Sequence, residues 1–225
     1  SSEHLTLISN IKCDILSNMH NYIKIADFRA PVEKVETLFL KKASHYPQNI
    51  QTVLKRAMIT ILALHLPNIL EKMNLPASIM ALYPDAFERL ANFLESIDNE
   101  PKPYDSTGEF FCKDVRFVLG LSVPCGARVV DMNSCISLQS VILSMIRSTK
   151  INGLILYLRK GGTGRWFRGH VESRYVAEFN EKGNDNHYLR VAELLKLQKD
   201  IKGFVITSWY YDPQVMKISP RLAYL

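Results

Sequence analysis

Cysteine is scarce in this chain: Cys13, Cys112, Cys125 and Cys135 are its whole complement. They are too widely spaced for a zinc-ligand pattern and too few for a disulfide framework, so free thiols and a cytoplasmic setting are expected, with no metal. The predicted helix core from Gln51 to Leu66 falls short of the roughly 20 apolar residues that a membrane span requires. Glu3 and Asp14 interrupt the N-terminal segment, which excludes the layout of a signal peptide. Glycine and tryptophan do not occur before Tyr104: all ten glycines, with Trp166 and Trp209, come later. Acids are missing between Asp131 and Glu172, an interval that carries Arg147, Lys150, Arg159, Lys160, Arg165 and Arg168.

What is present belongs to an ordinary globular protein. The 225 residues are 47% hydrophobic and 22% charged, which excludes disorder and collagen-like repetition. Residues 1–104 hold 11 basic and 11 acidic side chains, and the remainder holds 17 and 11, so the later part supplies all of the formal +6. This contrast predicts a helical domain over 1–104 and an α/β catalytic domain over 105–225, joined by the Pro- and turn-rich stretch from Asn99 to Gly108.

Apolar residues at Leu5, Ile8, Ile11, Ile15, Met19 and Ile23 share one helical face. Pro31 opens a second helix, because a first-turn N–H has no partner to lose. The segment Gln51–Leu66 is apolar nearly all round and predicts a buried central helix; shorter helices follow over Pro76–Leu82 and Pro84–Ser96. Beyond the linker, Val115–Leu121, Ala127–Asp131, Gly153–Leu158, Trp166–Val171 and Gly203–Thr207 read as strands, and Ser137–Arg147 and Tyr188–Leu197 as helices. The predicted fold class is α/β or α+β: an N-terminal helical bundle, then a mixed, mostly parallel sheet flanked by helices.

If Leu154–Leu158 and Phe204–Thr207 are parallel neighbours, the loops after them line a ligand crevice. The first loop carries Arg159, Gly162, Gly164, Arg165, Trp166 and Arg168, cations around bare backbone that suit an anion. The second carries Trp209, Tyr211 and Asp212, aromatic walls with an acid. His170 and Glu172 stand two apart, on one face of a strand, and form a candidate acid–base pair; Arg174 extends that face as an anion clamp. Each of these also reads as an ordinary surface charge. His170, Glu172 and His187 make a thin case for a metal triad, since a polar loop separates the histidines.

Residues Arg159–Gly164 spell R-x-x-G-x-G after an apolar segment, and so the stretch resembles the pyrophosphate-binding loop of the acetyl-coenzyme-A-dependent N-acetyltransferase family. The resemblance implies coenzyme A held on the amides of Gly162 and Gly164, with Tyr211 protonating the departing thiolate. That family's loop leads into a helix, whereas Arg165–His170 opens a helix poorly.

Three functions remain open at this point. One is a transferase- or lyase-type enzyme acting on a small anionic metabolite by group transfer or intramolecular displacement, with acyltransfer as its specific variant. Another is a nucleic-acid-binding module, although no nucleic-acid motif is present and the basic residues gather at one loop. The third is a non-catalytic subunit whose helical half docks a partner or a second copy of the chain.

Overall fold

The computed structural model describes residues 2–97, 104–136, 138–139, 141–142, 152–159, 161–162, 164–206, 208 and 213–220. The chain is a mixed helix and sheet protein in which N-terminal helices precede a four-stranded sheet flanked by helices. Contacts divide it into two compact units. The first comprises 1–74 and 83–122, and the second 75–82 and 123–225.

In the first unit the single helix expected from Leu5 to Ile23 divides at Asn18 into α1 (Ser2–Ser17) and α2 (Met19–Ile23), and the expected α3 (Ala30–Ala43), α4 (Gln48–Leu70) and α6 (Tyr83–Ser96) form. The short α5 (Ala77–Met80) belongs to the second unit. Ile8, Ile11 and Ile15 of α1, Val32, Val35 and Phe39 of α3, and Met58, Leu62 and Leu66 of α4 are all fully buried. These spacings of three and four are the stripes that drive the packing. Helix α4 is longer than the predicted apolar segment, and among the described residues it alone has the length and composition of a membrane span; 44% of that window is buried.

The first correction falls at Val115–Leu121, which is not a strand. It lies in α7 (Glu109–Val118) and its C-terminal turn. Every residue from Phe111 to Val118 is buried, Lys113, Asp114 and Arg116 included. Polar partners make this possible. Asp114 Oδ2 accepts from the Tyr104 hydroxyl at 2.9 Å, and Arg116 donates to Ser122 Oγ at 3.1 Å and to the Phe28 carbonyl at 3.1 Å. Gly120 closes the helix at φ +64, with Leu121 N–H donating back to the Arg116 carbonyl at 2.8 Å. The helical unit therefore continues past the Tyr104 break to Ser122.

Glu36 and Lys55 tie this unit together. Lys55 Nζ lies 2.6 Å from Glu36 Oε1 and 3.2 Å from the Tyr104 carbonyl, while Glu36 Oε2 accepts from Ser106 N–H at 3.0 Å. The rings of Phe39 and Phe111 stand 5.8 and 5.2 Å from the ammonium. One buried ion pair thus joins α3, α4 and the approach to α7.

The second unit holds β1 (Ser122–Pro124) from its second residue onward, then β2 (Arg128–Ser134), α8 (Asn152–Arg159), β3 (Arg165–Val171), a 3-10 segment (Ser173–Glu178), α9 (Glu181–Leu197), β4 (Ile201–Ile206) and α10 (Pro213–Ile218). The strand order is β1-β2-β3-β4. Parallel pairing is confined to β3 and β4; β2 and β3 run antiparallel.

Two further expectations are corrected here. Gly153–Leu158 lies in helix α8, ended by Gly161 at φ +70. The polar stretch Asn180–Asn186 is no loop: Asn180 caps α9 by accepting from Gly183 N–H at 3.0 Å, and the helix starts seven residues before the predicted Tyr188. Most of Ser137–Arg147 lies outside the described residues.

The buried ion pair gives a direct prediction. Glu36→Gln leaves the Lys55 ammonium without its counter-charge and should lower unfolding free energy by about 3–5 kcal/mol. Denaturant titration measures this, and adding Lys55→Met should recover most of the loss. A Glu36→Gln effect under about 1 kcal/mol would contradict the assignment.

Candidate functional site

The predicted anion loop is the clearest correction in the second unit. Because Arg159–Gly164 follows a helix and not a strand, it sits at a helix C-terminus, the end that carries partial negative charge. The amides of its three glycines are occupied. Gly161 N–H donates to the Leu158 carbonyl at 3.1 Å, Gly162 N–H to Tyr157 at 2.8 Å, and Gly164 N–H to Gly161 at 2.8 Å. A Cβ at Gly162 would lie 2.1 Å from the Tyr157 ring, so glycine is required there by packing. The chain then enters β3. The helix-then-strand order inverts that of the acetyltransferase loop, and the fit to coenzyme A is lost. Arg159 is exposed in the last turn of α8.

Register and alternation place the other candidates. In the antiparallel pair Val129 faces His170 and Asp131 faces Arg168; in the parallel pair Arg168 is level with Val205. Side chains alternate across the sheet, so Asp131, Arg168, His170 and Trp166 share one face, and Arg128, Gly169 and Phe204 share the other.

On the first face His170 finds a carboxylate, but a different one from that predicted. Its Nε2 is 2.8 Å from Asp131 Oδ2. The Asp131 side chain is 2% exposed and that of His170 24%, so a buried acid orients a ring that reaches solvent. Arg168 lies on the same face, directly opposite Asp131, and donates to the Cys135 carbonyl at 3.0 Å; its Nε is buried with no hydrogen-bond partner among the described residues. The Trp166 indole donates to the Gly161 carbonyl at 3.3 Å, and its ring covers Gly203.

Glu172 is not the acid–base partner of His170. It is 1% exposed and accepts from Arg174 three times: Nε at 3.0 Å, Nη2 at 2.9 Å and the backbone N–H at 3.2 Å. This pair caps the 3-10 segment, and it withdraws both Glu172 and Arg174 from the predicted site. Arg165 is likewise committed: it is ion-paired with Asp200 and donates to Asn133 Oδ1 at 3.1 Å. Trp209, Tyr211 and Asp212 lie outside the described residues.

The opposite face holds groups that the sequence reading passed over, together with His187, which it weighed only as a metal ligand with His170 and Glu172. Arg128 is fully buried; it donates to Asn184 Oδ1 at 2.8 Å, with the rings of Phe179 and Tyr188 at 5.3 and 6.0 Å. His187, also fully buried, lies beside Phe204 at 5.4 Å between ring centroids. His170 and His187 are thus on opposite faces of the sheet. The missed signal is the spacing Asn184, His187, Arg190 on α9, a polar stripe at helical period.

Burial pushes the Cys125 thiol up to about 12 and Cys112 up to about 11, so neither supplies a thiolate. Burial, with Arg128 and Arg190 adding to it, lowers His187 to about 4. Comparison with known protein families, curated proteins and solved structures finds no match to this chain.

The His187 shift carries a pH prediction. Between its folded value near 4 and its ordinary value of 6.5, the unfolded chain binds more protons than the folded one. His187 should thus cost stability progressively as pH falls from about 6.5 toward 4, by on the order of 3 kcal/mol in all. Urea unfolding of wild type and His187→Phe across this window checks it: the acid limb should flatten in the variant. An identical limb in both would show that His187 is not its source.

Proposed function

We infer that the second unit is an enzyme module for a small anionic molecule, working on the sheet face that carries His170, Asp131 and Arg168. The observation that supports this best is the 2.8 Å contact between a partly exposed imidazole and a buried carboxylate. An ionised carboxylate only accepts, so Nε2 carries a proton toward Asp131 and Nδ1 is the basic nitrogen. When Nδ1 takes a proton from a nucleophile, Asp131 stabilises the resulting imidazolium without moving. Arg168 supplies positive charge on the same face, suited to an anionic handle or leaving group. Group transfer or intramolecular displacement uses this inventory. The cytoplasm is the setting we assign, since Cys13, Cys112, Cys125 and Cys135 are free thiols suited to a reducing compartment.

A second reading gives the helical unit a partner-binding role. It is supported by an apolar trough of about 420 Å³ between α4 and α6, lined by residues that include Ala63, Leu64, Pro67, Phe87 and Leu90. Leu64 there is 75% exposed. Nothing in the geometry favours nucleic acid as the ligand.

The test is depletion of a mixed pool of small carboxylates and phosphates, followed by mass spectrometry. Wild type should consume an anionic component, and His170→Ala should slow this by about 100-fold or more while keeping wild-type stability. Arg168→Gln should mainly raise KM. A wild-type chain that consumes nothing and binds none of the pool, or that binds random oligonucleotides with a steep salt dependence, would overturn the reading.

A further inference from the structure

The face of the sheet opposite His170 contains two buried polar atoms that have no hydrogen-bond partner among the described residues. His187 Nδ1 is 3.1 Å from the Cys125 carbonyl oxygen. A carbonyl only accepts, so Nδ1 holds the proton and Nε2 presents a lone pair. Nε2 is buried and meets no donor among the described residues. Three residues further along α9, Arg190 Nη1 is buried and meets no acceptor among the described residues. Residues three apart on a helix are neighbours, and both side chains reach the same stretch of chain, His187 at the Cys125 carbonyl and Arg190 Nη1 beside Gly126.

The backbone beside them is shaped to let these groups in. Gly126, at φ +87, has no side chain where one would collide: a Cβ would stand 2.8 Å from Arg190 Nη1 and 2.6 Å from Glu178 Oε2. Glu178 and Arg190 are themselves only half-buried, although Arg190 Nη1 is not exposed.

Each buried orphan destabilises the fold, the charged one more than the neutral one. Their chemistry is complementary in a specific way. The imidazole lone pair requires an O–H or N–H, and the guanidinium requires an oxygen that accepts, best an anionic one. A fully deprotonated anion such as sulfate serves only the second, and an ammonium only the first. Glu178 further disfavours an anion with no proton to offer.

The geometry points to a binding site for a small oxyanion that keeps one O–H, namely phosphate or a hydroxy acid, held between His187 Nε2 and Arg190 Nη1. Its O–H donates to Nε2, and a second oxygen accepts from Nη1. This site lies behind the sheet from the His170 face and stands independently of the activity proposed for that face.

Isothermal titration of the full chain at neutral pH and constant ionic strength tests it, with inorganic phosphate and glycolate as probes and sulfate and acetate as their proton-free counterparts. Phosphate, glycolate or both should bind at millimolar concentration or below, and the matching control at least about tenfold more weakly, the factor that one hydrogen bond of about 1.4 kcal/mol supplies. Which probe binds identifies the source of the oxyanion. Arg190→Gln should weaken binding by about tenfold or more. His187→Phe should abolish it, and if that variant does not fold, the half-buried Arg190 position decides. The proposal is overturned if neither probe binds at millimolar concentration, if sulfate and acetate bind as well as phosphate and glycolate, or if Arg190→Gln binds like wild type.

Discussion

Strand β2 takes two charges of opposite sign out of water, Arg128 on one face of the sheet and Asp131 on the other, with exposures of 0% and 2%. Removing a charge from solvent costs several kcal/mol unless it is paired and hydrogen-bonded. Much of the second unit is arranged to meet that cost. Asn184 and two aromatic rings receive Arg128, which fixes how α9 lies on one side; His170 receives Asp131, which fixes the ring on the other. The same strand therefore builds the two polar sites back to back.

The glycines show a related division of labour. Those after α8 were attractive as an anion cradle, yet their amides close a helix. Gly169 and Gly203 instead make room for rings: a Cβ would come within 2.7 Å of Phe204 at the first and of Trp166 at the second. Gly126 alone brings a guanidinium and a carboxylate against bare backbone. The polar pairs of this unit thus rest on side chains set by strand register, and the Gly-rich segment serves packing.

The helices of the first unit were legible because each carries a long stripe at 3.6-residue period, from Ile8 to Ile15 and from Met58 to Leu66. Three of the four strands were legible where β-branched or aromatic residues alternate near turns. The two segments misread as strands, Val115–Leu121 and Gly153–Leu158, share one cause: an apolar run of seven residues or fewer fits either period. The deciding signal stood just inside or beyond each run, in Gly120 and Gly161, both at positive φ and both closing a helix. His170 was legible as a candidate, but its partner was not. Local spacing pointed to Glu172, whereas antiparallel pairing brings Asp131 across from thirty-nine residues away. Arg128, Asn184 and Arg190 were illegible for the same reason, since their association depends on which face α9 covers.

The two faces hold their histidines in opposite tautomers, each set by an acceptor: Nδ1–H in His187, toward the Cys125 carbonyl, and Nε2–H in His170, toward Asp131. Nitrogen-15 NMR of the imidazoles at neutral pH reads this directly. The account predicts a neutral His187 ring protonated on Nδ1, with His170 keeping its proton on Nε2. A His187 ring protonated on Nε2, or two rings with the averaged tautomers of exposed histidine, would contradict it.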